Sequence, residues 1–298
     1  MSDFAFAKTN FSKSGASGLY DRARPSYPAE AISHLLSTLP TTSATVVELG
    51  AGTGLFTRAF LSAATSSSSP TQAKVGKLVA VEPSEGMREG FAKGIRGMDG
   101  FVPAALGGEG LLGSVGGVEV WIKDGAFESV PEADASADLL VIAQAFHWSG
   151  RGNVAAVEEI ARVLKPGATW AKIWNLEDRD TAWVQQLRDL YEEFEAGTPQ
   201  YRLGLWKSIW DLPSFPRLFT SPESHLTYTQ LLPTTDDLVV DRVFSKSYIT
   251  ALSDAQRGEL EGKLREVVRR GEGRKWIRED EGVFEYPYKT DLFVTKRK

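Results

Sequence analysis

Val46-Val47-Glu48-Leu49 runs directly into Gly50-Ala51-Gly52-Thr53-Gly54 and then Leu55-Phe56, a succession that few folds accommodate. A short apolar run rich in β-branched residues stops at glycines on alternate positions, and a helical pattern starts immediately afterwards. That order predicts a strand, a tight turn and a helix. Glycine turns sharply without a Cβ penalty and lets a ligand lie against bare main chain, so the turn reads as a cradle. The dinucleotide fingerprint places its third glycine three residues after the second, and here that position is Leu55. The spacing therefore argues against a dinucleotide.

The remaining composition narrows the choice. A chain of 298 residues with 42% hydrophobic content can bury a full α/β core with room for an insertion. A net charge of −5 gives no overall positive field, so neither nucleic acid nor anionic lipid is an expected partner. No apolar stretch approaches the roughly 20 residues that span a bilayer, and Met1-Ser2-Asp3-Phe4 lacks the zones of a signal peptide; a cytoplasmic protein is expected. Without cysteine there is no disulfide, thiolate nucleophile or zinc-thiolate site, and His34, His147 and His225 lack ligand spacing. No metal is expected.

Taken in order, Ile32, Leu35, Leu36 and Leu39 recur at helical spacing after Pro28, which suits a first helical position. Phe56, Ala59, Phe60 and Ala63 make the apolar face of the helix after the cradle, and 65–71 is a Ser-rich loop. Leu78 to Val81, Val118 to Ile122, Ala137 to Ala143 and Thr169 to Trp174 read as further strands, apolar on both faces as a covered parallel sheet requires. Nine glycines between 94 and 117 suggest a mobile insertion. Five of the eight tryptophans lie between 170 and 210, which predicts a local apolar cluster, read here as a cap of amphipathic helix and aromatic turns. Leu238 to Phe244 is expected as strand six, a charged helix near 253–270 follows, and Val283 to Lys296 is the last strand, with Pro287 at its start or at a bulge.

Several motifs stand in register with this frame. They are Glu48-Leu49-Gly50-Ala51-Gly52-Thr53-Gly54, Tyr20-Asp21-Arg22-Ala23-Arg24-Pro25-Ser26-Tyr27-Pro28, Glu82-Pro83-Ser84-Glu85-Gly86-Met87, Asp124 to Pro131, and Gln144-Ala145-Phe146-His147-Trp148. Together they resemble class I S-adenosylmethionine (SAM) dependent methyltransferases, in particular the type 11 group acting on small molecules. The resemblance covers about 11–174 motif by motif. It implies a Rossmann-like α/β fold with seven mostly parallel strands in the order 3-2-1-4-5-7-6 and helices on both faces. The organisation expected is 1–174 as SAM-binding core with an N-terminal lid, 175–235 as helical cap insertion, and 236–298 as strands completing the sheet.

The same resemblance implies site roles. Glu48 would hold the methionine end of the cofactor, Gly50, Ala51, Gly52, Thr53 and Gly54 the cradle, and Glu82 both ribose hydroxyls, which a carboxylate can accept at once. Pro83, Met87, Ala126 and Phe127 would flank the adenine, with Asp124 nearest its amino group, while Gln144, Tyr20 and Arg24 would close the pocket. Tyr27, Phe146, Trp148, Trp206 and Trp210 are the acceptor-side candidates. His147, whose ordinary pKa of about 6.5 suits proton removal, is the candidate base, or else a residue that shapes the pocket. The expected activity is methyl transfer from SAM, leaving S-adenosylhomocysteine (SAH), to a small, partly apolar or aromatic acceptor, with oxygen favoured. A phenol would give His147 work to do, whereas a carboxylate would not, and the start of the chain is also similar to methyltransferases of small carboxylic acids. A non-catalytic SAM-binding protein and an NAD-dependent oxidoreductase are the alternatives. The sequence leaves the oligomeric state open.

Overall fold

The computed structural model describes residues 21, 23–66, 75–105, 108, 110–195, 197–221 and 223–298. One sheet of ten strands organises them: β1 (Ala44–Leu49), β2 (Val75–Val81), β3 (Phe101–Pro103), β4 (Leu111–Val115), β5 (Val118–Lys123), β6 (Ala137–Ala143), β7 (Leu164–Glu177), β8 (Ser224–Thr234), β9 (Trp276–Arg278) and β10 (Val283–Lys296). Their order is β3-β4-β5-β2-β1-β6-β7-β10-β8, with β9 paired to β10. From β5 to β7 the pairing is parallel, and β10 enters antiparallel to both β7 and β8. The seven-strand order from the resemblance is present as β5-β2-β1-β6-β7-β10-β8, and a hairpin extends it at the β5 edge.

Helices α1 (Ala29–Ser37), α2 (Leu55–Ser66), α3 (Glu85–Arg96) and α4 (Val154–Val163) pack on the sheet. Each presents an apolar stripe, such as Phe56, Phe60 and Leu61 on α2, to one of two cores lined by alternating strand residues. A third core lies beyond the β7 and β10 ends. There α5 (Ala182–Glu192), α7 (Asp236–Phe244) and α8 (Asp254–Arg270) enclose Trp183, Leu187, Val239, Val243, Leu264 and Phe284. The short α6 (Phe215–Leu218) and 3-10 turns over Tyr201–Leu203 and Leu205–Asp211 pack on the second core. This third core joins residues from both sides of position 235.

Three expectations change. Leu238 to Phe244 is helix, not strand six. Its short apolar run fits either form, and the Thr235 side chain accepting from the Leu238 N–H at 3.4 Å, with Asp236 and Asp237 in the first turn, starts the helix instead. Strand six is β8, an edge strand whose exposed and half-buried residues alternate. Second, the described residues of the glycine-rich stretch continue α3 and form the paired strands β3 and β4, regular structure that the sequence reading did not expect. Gly116 (φ +55°) and Gly117 (φ +85°) form a two-residue turn between Val115 and Val118, the primed geometry that suits twisted strands. Third, Pro287 sits inside β10 opposite Leu231 without a bulge there. Its carbonyl accepts from Asp178 just past the end of β7, so its missing N–H faces the side where that strand has already ended.

Candidate active site

The cradle joins β1 to α2 at the carboxyl edge of the parallel strands. Gly50, Gly52 and Gly54 adopt φ of +69°, +55° and +82°. Their reasons for being glycine differ. A Cβ on Gly50 would come within 2.6 Å of the Ala145 Cβ, and one on Gly54 within 2.8 Å of the Phe91 ring, whereas one on Gly52 would meet nothing within 4 Å. Only Gly52 turns bare backbone toward open space; the other two combine positive φ with tight packing. The Gly52 N–H donates to Glu82 Oε2 and the Ser84 N–H to Glu82 Oε1, both at 2.9 Å, which fixes the carboxylate at the tip of β2 against the turn. Burial pushes the Glu82 carboxyl above its ordinary value, against those two N–H groups and Arg88. Glu48, on β1 and 1% exposed, accepts from the Thr57 hydroxyl. Burial raises it to about 8, with Thr57 opposing.

The cradle opens into a cavity bounded by Glu48, Gly50 to Thr53, Tyr27, Phe56, Arg24 and Gln144. A second cavity, of about 100 Å³, shares Arg24 and Gln144 with it and runs on past His147 and Trp148 to the third core. Gln144 follows β6 in a left-handed conformation (φ +57°) that its N–H to the Ile173 carbonyl and its side-chain N–H to the Asn175 carbonyl hold in place, at 2.8 and 2.9 Å. The described part of the N-terminal segment crosses both cavities. Asp21 receives Thr53 and Arg58, Arg24 donates to the Ser245 hydroxyl and carbonyl at 2.9 and 3.1 Å, and the Ser26 carbonyl accepts from Asn175 at 3.1 Å.

The far wall of the second cavity is charged. Glu177, at the β7 end, faces Arg242 at 2.9 Å and Lys246 at 3.0 Å through the same oxygen, while Arg188 donates to its carbonyl at 2.8 Å. Burial would raise the Glu177 carboxyl, but Arg242, Lys246 and Arg188 outweigh it and hold it far below the carboxylate range. Lys246 goes the other way. Burial and Arg242 bring it down to about 7 despite Glu177. One carboxylate cannot neutralise two buried cations, and a guanidinium does not give up its proton, so the lysine yields. Arg188 and Arg202 pair with Glu192 and Glu195.

These positions revise several expectations. His147 lines the second cavity, but its Nδ1 accepts from the Trp174 indole at 3.2 Å, so the neutral ring carries its proton on Nε2. Burial, with Arg24 nearby, lowers it to about 3. Both the occupied Nδ1 and the lowered proton affinity speak for His147 as a residue that shapes the pocket rather than as a base. Phe146 is fully buried against Phe127 and Trp170, and Trp206 against Trp174 and Phe293, so both are core rather than acceptor contacts. Trp210 is surface, and Tyr27 lines the cradle cavity, stacked edge-on to Phe56. Trp148 does line the second cavity. Met87 and Phe127 are buried, Ala126 closes a turn with Ser129, Asp124 pairs with Arg88 at 3.2 Å, and none of them, nor Pro83, borders the cradle cavity. Tyr20 lies outside the described residues. Glu177, Arg188, Arg242 and Lys246 escaped sequence reasoning because charged residues on helices and loops read as solvated faces.

A parallel sheet with a glycine cradle at its carboxyl edge and buried acids at two strand tips makes this chain similar to class I methyltransferases, the class whose methyl donor is SAM. Residues 47–171 match the family model described as a methyltransferase domain. The chain is similar to an uncharacterized methyltransferase of Mycobacterium tuberculosis, 29% identical over 254 residues that make up 85% of this chain and 84% of that protein. It also resembles an uncharacterized methyltransferase of Schizosaccharomyces pombe, 29% identical over 60% of this chain and 58% of that one. In fold it is similar to a protein from Anaeromyxobacter dehalogenans described as a type II methyltransferase, with TM-score 0.58, 18% identity, and 92% and 97% of the two chains covered.

The residues present fit the donor. Gly52 leaves room at the cradle; each Glu82 oxygen engages one backbone N–H and keeps capacity for a ribose hydroxyl, although Glu82 does not itself border the cradle cavity; and Glu48, which does, would meet the cationic methionine end once it gives up its proton. Among the described residues no helix is long and apolar enough to cross a membrane.

Proposed function

We propose that the chain transfers a methyl group from SAM to an oxygen of a small carboxylic acid bound in the second cavity. One observation carries this reading. The cavity that shares Arg24 and Gln144 with the cradle is lined by five basic side chains, Arg24, Arg188, Arg202, Arg242 and Lys246, and by three acids, Glu177, Glu192 and Glu195. A carboxylate acceptor would find cationic donors on this wall, whereas a neutral aromatic one would leave them unengaged.

SAM supplies, when bound, a methyl carbon already activated by its sulfonium. The O–CH3 bond forms as the S–CH3 bond breaks, and anion and cation become neutral ester and thioether. No proton needs removing, which agrees with a His147 whose Nδ1 is committed to Trp174. The protein's work is alignment: Arg24 and Gln144 stand where the two cavities meet, and holding reactants in line contributes several kcal/mol to barrier reduction. Incubation with methyl-labelled SAM and a panel of carboxylic acids, phenols and amines tests the reading. Base-labile labelled esters are the expected product; label confined to phenols or amines would refute it.

A further inference from the structure

Lys246 is a lysine whose surroundings oppose its charge. It is 8% exposed, and its Nζ lies 3.0 Å from Glu177 Oε1 and 4.3 Å from the centre of the Tyr191 ring. The charged and titratable groups around it come from every side: Glu177 from β7, Arg188 and Tyr191 from α5, Glu195 from the turn after α5, Arg242 from α7, Arg24 from the N-terminal segment, and Tyr248 from its own loop. Arg242 already takes the same Glu177 oxygen at 2.9 Å and donates through Nε to the Tyr288 hydroxyl at 3.1 Å. Its third nitrogen, Nη1, is buried and has no hydrogen-bond partner among the described residues, and the buried Tyr191 hydroxyl is in the same position. Two cations sharing one carboxylate oxygen on the wall of a cavity, with two unmatched donors buried behind them, describe a place suited to a further negative group.

We propose that Lys246 is a specificity-determining residue which, with Arg242, receives an anionic group of the acceptor and takes up a proton as that anion arrives. This rests on the methyl-transfer reading and adds the regulation of its acceptor site. Before binding, the buried cluster of Glu177, Arg242 and Lys246 is neutral only if the lysine has shed its proton. The anion restores the balance with the lysine charged, so binding and protonation are coupled, and each strengthens the other.

The test is calorimetry with succinate as the anionic probe, on full-length protein saturated with SAH, in two zwitterionic buffers of different ionisation enthalpy. With Lys246 titrating at about 7 in the absence of the anion, about nine-tenths of a proton is taken up per succinate at pH 8 and about half at pH 7, both pH values at which succinate is itself almost fully ionised. Lys246→Arg, whose charge is permanent, is expected to bind succinate with no proton uptake at either pH, and Lys246→Met to bind at least tenfold more weakly at pH 7. Equal uptake in wild type and Lys246→Arg, binding without uptake in wild type at pH 8, or no succinate binding at pH 7 to protein that does bind SAH would each overturn the proposal while leaving methyl transfer intact. Absence of SAH binding itself would remove the methyl-transfer reading and this proposal with it.

Discussion

At the level of single residues, Glu48 and His147 are both buried titratable groups, and burial drives each to its neutral form. Glu48 holds its proton in the fold up to about pH 8 but loses it near 4.5 when unfolded. The folded state therefore binds the extra proton between those values; the stability this contributes is complete below about 4.5 and is lost as pH rises through 8. Thermal denaturation from pH 5 to 9 should show wild type losing stability relative to Glu48→Gln as pH rises; parallel curves would contradict the assignment. Replacing His147 by Gln should leave the acidic limb of the pH–rate profile in place and cost less than about tenfold in kcat, since general-base loss typically costs about a hundredfold or more. A profile whose limb near 6.5 vanished in the variant would restore the base. The cradle and Glu82 were legible in sequence because their spacing is local. Glu177, Arg242 and Lys246 were not, since they converge from a strand, a helix and a loop separated by up to 69 positions and each has an ordinary reading on its own element.

Among elements, the β1–α2 turn and α7 make the sharpest tests. Gly52→Ala and Gly54→Ala both place Cβ on a left-handed backbone, at a cost of about 1–2 kcal/mol each. Gly54→Ala adds a collision with Phe91 at 2.8 Å, so it should lower the melting temperature more. Gly52→Ala puts its methyl into open space beside Glu82, so it should be the variant that weakens SAH at least tenfold. Melting and calorimetry on the pair separate the two effects, and the reverse pattern would show that the cavity is misplaced. Thr235→Ala should cost about 1 kcal/mol in chemical denaturation and leave SAH affinity unchanged, because the cap serves α7 alone. The core strands could be read from sequence as short, mostly apolar runs, whereas β8 carries polar residues on an exposed edge, and the turn that could have announced the β4–β5 hairpin, Val115-Gly116-Gly117-Val118, was lost among its neighbouring glycines.

For the molecule as a whole, one cavity lies at the tips of β1 and β6, another runs beside it toward the third core, and Arg24 and Gln144 belong to both. The third core spans α5, α7, α8 and the first half of β10, so the charged wall forms only when segments far apart in sequence have docked. That long-range assembly is why the acceptor side was less legible than the donor side. The donor side carries everything else, and titration calorimetry with SAH tests it directly. The account expects one molecule bound per chain to wild type, and at least tenfold weaker binding to Glu82→Ala, which keeps the cradle but loses the carboxylate that Gly52 holds. Folded protein that gives no heat with SAH, or a Glu82→Ala variant that binds as tightly as wild type, would contradict it.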